Sequence, residues 1–348
     1  MSPYIMSTLL LALGLGTTIT FASSHWLLAW MGLEINTLAI LPLMAQHHHP
    51  RAVEAATKYF LTQATAAAML LFASTTNAWL TGQWSIQQMV HPLPTTMVIT
   101  ALALKLGLAP LHSWLPSVLQ GLDLTTGLVL STWQKLAPFA LVLQLQPSNP
   151  IILMLLGLTS TLVGGWGGLN QTQLRKLLAY SSIAHLGWMV LVLQFSPSLT
   201  FLALVTYIAM TFSTFFMFKQ AGSTDINTLA TSWAKAPALT SITPLLLLSL
   251  GGLPPLTGFM PKWLILQELT KQDLAIVATL AALSALLSLY FYLRLSYAMT
   301  LTISPNNLMG TTPWRLRSLH PTMPLAISST LTILLLPLTP ALTMVLAL

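Results

Sequence analysis

Pro110-Leu111-His112-Ser113-Trp114-Leu115-Pro116 and Pro255-Leu256-Thr257-Gly258-Phe259-Met260-Pro261 interrupt two long apolar runs in the same way. Both read Pro-Leu-x-x-aromatic-aliphatic-Pro, and each follows a glycine-containing run, Leu106-Gly107-Leu108 and Leu250-Gly251-Gly252-Leu253. A proline inside a helix removes a backbone hydrogen bond and clashes with the preceding turn. At membrane depth, non-helical backbone is tolerated only where protein or a water-filled cavity covers it. A matched pair of broken helices is therefore the mark of an internal repeat with a transport site at its centre, rather than of two unrelated kinks.

The surrounding sequence makes the membrane reading firm. Of 348 residues, 55% are hydrophobic and 5% charged, against about 25% charged in soluble domains. Taking about 20 residues per crossing, eleven helical spans are expected near 3–21, 25–45, 53–80, 95–121, 124–145, 150–170, 174–195, 198–221, 239–270, 273–302 and 322–346. Breakers such as Ser23-Ser24, Pro92/Pro94 and Ser196-Pro197 separate them. The expected fold is all-α and polytopic, with two five-helix repeats over 1–146 and 147–303. A loop and C-terminal helix occupy 304–348. The two broken spans are five spans apart, an odd number, so the second repeat would be inverted. Residues 222–237 are polar enough for a short interfacial helix. The first segment lacks a basic leader region and is expected to be retained as a span.

The surplus of 13 basic over 6 acidic residues lies largely in short loops and span ends, including Arg51, Lys58, Arg175, Lys176, Lys219, Lys271, Arg315 and Arg317. That distribution suits topology and lipid contact. No basic patch is interleaved with aromatics, so nucleic acid is not expected as a partner. The absence of cysteine excludes disulfides and thiolate or Fe–S ligation by this chain.

A few ionisable residues stand where they are costly. Glu34, Lys105 and Lys135 each fall about ten residues into an apolar span, and Lys262 follows the second break directly. A charge at the bilayer centre costs roughly 2.5–3.5 kcal/mol on insertion scales. Glu34 is the one acidic residue expected at half depth, so pairing with Lys105 or Lys135 follows. His112 lies in the first break and His185 in the middle of span seven; both suit a proton relay. Thr132, Tyr180, Ser181 and Ser182 could hold water between them. The simpler alternatives are static buried pairs, a snorkelling Lys262 and hydrogen-bonded packing histidines.

Other features carry less. His47-His48-His49 is a loop tract without carboxylates and is not expected to bind metal. Gly164-Gly165-Trp166-Gly167-Gly168 follows no strand and reads as close helix packing, not as a dinucleotide fingerprint. Arg294 is expected near a span end, and Asp123, Asp225, Glu268 and Asp273 at helix ends. Nothing in the chain resembles a nicotinamide, flavin or haem site.

Several stretches resemble one family over essentially the whole chain: Trp30-Met31-Gly32-Leu33-Glu34-Ile35-Asn36, Leu104 to Pro116, Trp133-Gln134-Lys135, Ser181 to Trp188 and Gly251 to Phe259. These are similar to the antiporter-like membrane subunits of respiratory complex I, NADH:ubiquinone oxidoreductase, and of multi-subunit Na⁺/H⁺ antiporters. The resemblance implies a proton-translocating core subunit whose axis comprises Glu34, Lys105, Lys135, Lys262, His112 and His185. It further implies a mitochondrial inner-membrane location among other membrane-arm and accessory subunits, in contact with lipid. No cofactor would sit on this chain; NAD, FMN, Fe–S clusters and ubiquinone would belong to partner subunits. A stand-alone cation/proton antiporter and a membrane scaffold with structural ions are the competing readings.

Overall fold

A computed structural model describes residues 2–46, 49–89, 91–145, 150–234, 237–302 and 323–347. Every regular element among these is a helix. Contacts divide the chain into two compact units, Met1–Gly157 and Leu158–Leu348.

The first unit holds α1 (Pro3–Ala22), α2 (Trp26–Met44), α3 (Pro50–Thr81), α4 (Pro92–Leu106), α5 (Trp114–Gly121), α6 (Leu124–Ser131) and α7 (Trp133–Gln144). Span four is thus two half-helices. Its first half ends not at Pro110 but three residues earlier, where Gly107 turns left-handed at φ 79 and donates to Ala103 and Leu104. Glycine reaches that conformation without a Cβ penalty, so glycine ends α4 and proline keeps the chain from resuming it. Trp114, at the start of α5, donates from Nε1 to the Leu104 carbonyl at 3.0 Å and so closes the exposed end of α4. Span five, expected as one helix, is also two: Thr132 departs from helical geometry at φ −111, ψ −69. α3 packs on α2, α4 and α5, while α7 reaches α1, α2 and α4. Two side chains at the start of α7 pin it across the unit: Trp133 Nε1 donates to Leu13 O at 3.4 Å, and Gln134 Nε2 to Asn36 O at 3.2 Å.

The second unit begins within α8 (Pro150–Gly168) and continues through α9 (Leu174–Val192), α10 (Pro197–Ala221), the short α11 (Ile226–Ala230) and α12 (Pro237–Gly251). It ends with α13 (Phe259–Lys271), α14 (Ala275–Leu301), α15 (Met323–Leu334) and α16 (Thr339–Ala347). α10 is its hub, touching α9, α12, α13, α15 and α16. The interruption of span nine mirrors that of span four: α12 ends at Gly252, φ 81, and α13 starts at Phe259. α11 fills the expected polar segment and carries an Asp225 capping box. The last span, expected as one helix near 322–346, bends by 67° between α15 and α16 at Leu335.

Two further details match between the units. His25 and Ser85 form an isolated bridge in which Trp26 donates to Trp84 and Ile86 to Ser24. Gln173 and Asp225 do the same, with Leu174 donating to Thr224 and Ile226 to Thr172. A Cβ on Gly16 would lie 2.3 Å from Asn36 Oδ1, and one on Gly164 would lie 2.6 Å from the Ala184 backbone nitrogen. These pairs are separated by the same number of residues, so the α1–α2 and α8–α9 contacts are built alike. The glycine run at 164–168 is therefore a packing surface, also meeting Tyr180 and Phe291.

Five helices, α1, α2, α8, α10 and α14, are each long and apolar enough to cross a bilayer, and bent α15–α16 makes six. Of the others, α3 is long enough but carries polar residues along its length, such as Gln63, Thr75, Thr76 and Asn77; α9 begins with Arg175 and Lys176; α11 is a short helix, and the remainder are half-helices. His47, His48 and the 303–321 loop with Arg315 and Arg317 lie outside the described residues.

Candidate functional site

In the first unit, α2 and the end of α4 bring Glu34 and Lys105 together. Lys105 Nζ lies 3.9 Å from Glu34 Oε1, with the lysine side chain 3% and the glutamate side chain 24% exposed. This separation allows strong charge attraction but exceeds hydrogen-bond length. The other carboxylate oxygen, Oε2, accepts from Thr37 Oγ1 at 3.2 Å. Lys135, in the first turn of α7, is also buried, and it lines the same small cavity of about 20 Å³ as Lys105. Of the two lysines open to Glu34 from sequence, the structure pairs Lys105. The break sets this arrangement, because Lys105 occupies the last turn of a half-helix and Lys135 the first turn of another.

His112 lies in the break, part-buried against the Pro110 carbonyl, and is not among the residues lining that cavity. Sequence reasoning passed over the cavity's uncharged polar wall: Asn36, Tyr59, Gln63 and Gln134. Tyr59 meets Trp114 edge to face at 5.7 Å, joining α3 to the break. A signal was available in the lone amide Gln63 within an apolar stretch of α3, but its depth and direction were not.

In the second unit, α9 carries His185 and α13 carries Lys262, and both border one small cavity with Thr206 and Met210 of α10. The His185 ring stands 5.7 Å from that of Tyr207. Lys262 does not snorkel: it is buried, and its Nζ donates to Gly251 O at 2.7 Å. The ammonium therefore neutralises the C-terminal end of α12, where unsatisfied carbonyls carry negative partial charge. A Cβ on Gly252 would lie 2.9 Å from Lys262 Nζ, so glycine there makes room for the lysine. The two units thus hold their cations against different partners, a carboxylate for Lys105 and a backbone carbonyl for Lys262. Ser181 and Ser182 are buried and donate back to Leu178 and Ala179. Arg294 Nη1 donates to Leu169 O at 2.8 Å, just beyond the end of α8.

Among the described residues no group of three or more His, Asp or Glu side chains could hold a metal ion. His49 caps α3, accepting from the Arg51 backbone N–H at 3.4 Å.

The sequence and the fold were compared with known proteins. The family described as NADH:quinone oxidoreductase/Mrp antiporter, TM, matches residues 23–288, and NADH dehydrogenase subunit 2 C-terminus matches 289–343. NADH-ubiquinone oxidoreductase chain 2 of Tetraodon nigroviridis is 77% identical over 340 residues, covering 98% of each chain. The protein of that name from Gadus morhua is 72% identical over 341 residues, again 98% of each. A chain of respiratory complex I from Thermus thermophilus with bound aureothin superposes with a TM-score of 0.86 at 30% identity. The match covers 99% of this chain and 80% of that one. A chain of the Mrp complex from Dietzia sp. DQ12-45-1b gives 0.82 at 16% identity, over 96% and 75%, which shows a shared fold.

Proposed function

This chain belongs to the family of NADH-ubiquinone oxidoreductase chain 2, and from that membership we propose that it carries protons along buried Glu, Lys and His side chains. It is a membrane subunit of the proton-translocating complex I, in company with other subunits of that assembly. The route we propose runs through Glu34, Lys105 and Lys135 in the first unit and His185 and Lys262 in the second, with His112 at the first break. Eleven spans follow from counting each interrupted pair as one crossing. The twin broken helices, twin bridges and twin glycine contacts support two five-helix repeats over 1–146 and 147–303, inverted by the odd number of spans between them. The mitochondrial inner membrane is the proposed location, with lipid and accessory subunits around the chain. NAD, FMN, Fe–S clusters and ubiquinone are assigned to partner subunits.

One observation carries the proton route: a carboxylate and an ammonium held 3.9 Å apart beside a second buried lysine, within membrane helices. Such charges are expensive in lipid and mark ion pathways there. Changing the Glu34–Lys105 separation alters how readily Lys105 releases its proton towards Lys135. Moving one charge against 100 mV takes about 2.3 kcal/mol, so quinone chemistry in partner subunits must drive that change. The experiment is Lys105→Ala in the intact complex, with protons counted per NADH oxidised. An assembled variant pumping at unchanged stoichiometry overturns the route.

A further inference from the structure

We propose that Asn36 and Gln63 are positioning residues that hold a bridging water between Glu34 and Lys105, which extends the proton route just described. Five buried atoms of the first unit have no hydrogen-bond partner among the described residues: Glu34 Oε1, Asn36 Oδ1 and Nδ2, Gln63 Nε2 and Lys105 Nζ. They come from three helices, α2, α3 and α4. Asn36 and Gln63 are only 2% and 4% exposed, and buried polar groups are almost always satisfied by protein or ordered water.

The cavity supplies the room and three of the polar neighbours, and the fourth, Glu34 Oε1, does not line it but lies 3.9 Å from Lys105 Nζ. Asn36, Gln63 and Lys105 border the cavity of about 20 Å³, and one water needs roughly 10–15 Å³ and two to four polar neighbours. The 3.9 Å separation of the ion pair is too long for direct proton transfer along a hydrogen bond. Neither amide is free to turn away at will. The Asn36 side chain is wedged against Gly16, its own carbonyl accepts from Gln134, and Gln63 lies one turn from Tyr59 on α3.

Carboxamides do not titrate, so Asn36 and Gln63 carry no proton themselves. Their part is to orient a water that donates to Glu34 Oε1 and accepts from Lys105 Nζ. In the transfer, a Lys105 N–H bond breaks as the water oxygen gains that proton. A water O–H bond breaks as Glu34 Oε1 gains one, leaving a neutral amine, a neutral carboxylic acid and the same water. The reverse step restores the pair, and the amides set its orientation in both directions.

The test compares two replacements at Gln63 in the intact complex in membrane vesicles. Gln63→Met keeps length and bulk but removes the hydrogen bonds; Gln63→Ser shortens the side chain but keeps a hydroxyl and admits a second water. Proton uptake per NADH and the coupled turnover rate are read for assembled complex, with Lys105→Met as reference. Coupled turnover should fall by about tenfold to a hundredfold in Gln63→Met, the range for a misplaced transfer partner, and recover substantially in Gln63→Ser. A packing role predicts the opposite order, Met active and Ser impaired, and that order overturns the inference. Asn36→Val against Asn36→Ser repeats the comparison if Gln63→Met fails to assemble. Wild-type pumping by Lys105→Met would overturn the proton route itself, and this inference with it; loss in Lys105→Met beside normal pumping in Gln63→Met and Asn36→Val overturns the water bridge alone.

Discussion

Glu34→Gln removes one charge from the first unit while leaving size and shape almost unchanged. At the observed 3.9 Å and an effective dielectric of about 20, the attraction lost is about 4 kcal/mol. That exceeds the roughly 2.3 kcal/mol needed to move a charge across 100 mV, so the state of this pair is large enough to gate a proton step. Glu34→Asp withdraws the carboxylate by about 1.3 Å and keeps about 3 kcal/mol of attraction. A loss of about 1 kcal/mol corresponds to roughly a fivefold slowing, whereas 4 kcal/mol corresponds to as much as a thousandfold. The assay is coupled NADH oxidation by assembled complex, with vesicle acidification followed by a quenched dye and protons counted per electron. Activity should rank wild type, then Asp, then Gln. The double variant Glu34→Gln/Lys105→Met should be no worse than the poorer single variant, because the two residues act through one interaction. Unchanged stoichiometry in Glu34→Gln, or losses that multiply in the double variant as for independent sites, would refute the argument.

Lys262→Met should cut pumping and also loosen the α12–α13 junction, because the Gly251 carbonyl loses its 2.7 Å donor; faster amide exchange at 250–258 is the measurement. Gly252→Ala adds a methyl group 2.9 Å from Lys262 Nζ at φ 81 and should cost about 1–3 kcal/mol of stability, read as a lower melting temperature of the complex. Gly164→Ala meets the Ala184 backbone at 2.6 Å, so α8 and α9 must part; the expected result is a drop in assembled complex on native gels. Trp114→Phe keeps an aromatic ring but removes the donor to Leu104 and part of the buried indole, so at least about 1 kcal/mol of stability should go with it.

Particular residues show how far the amino-acid order alone reached. The two interruptions were readable because proline and glycine impose local backbone limits that no tertiary contact is needed to express. Membrane placement was readable because the composition leaves almost nothing for water to solvate. The depth of Glu34, Lys105 and Lys135 followed from counting along a helix of known rise. Another break was hidden: Thr132 splits α6 from α7 with no proline or glycine at that point to announce it. The bend at Leu335 was legible but unread, because Pro337 and Pro340 follow it directly. The uncharged wall of Asn36 and Gln63 was hidden as well, because an amide in a helix has no meaning until its direction is known.

What the chain settles by itself is therefore axial: which segments lie in the bilayer, where two of them fail to stay helical, and how deep each charge sits. What only the folded arrangement decides is lateral. Spacing along a helix fixes height but not which neighbour a side chain faces, so Glu34 could have met either lysine. The packing of α2 against the cut end of α4 brought it to Lys105, while the turn at Gly252 left Lys262 with a backbone carbonyl for its counter-charge.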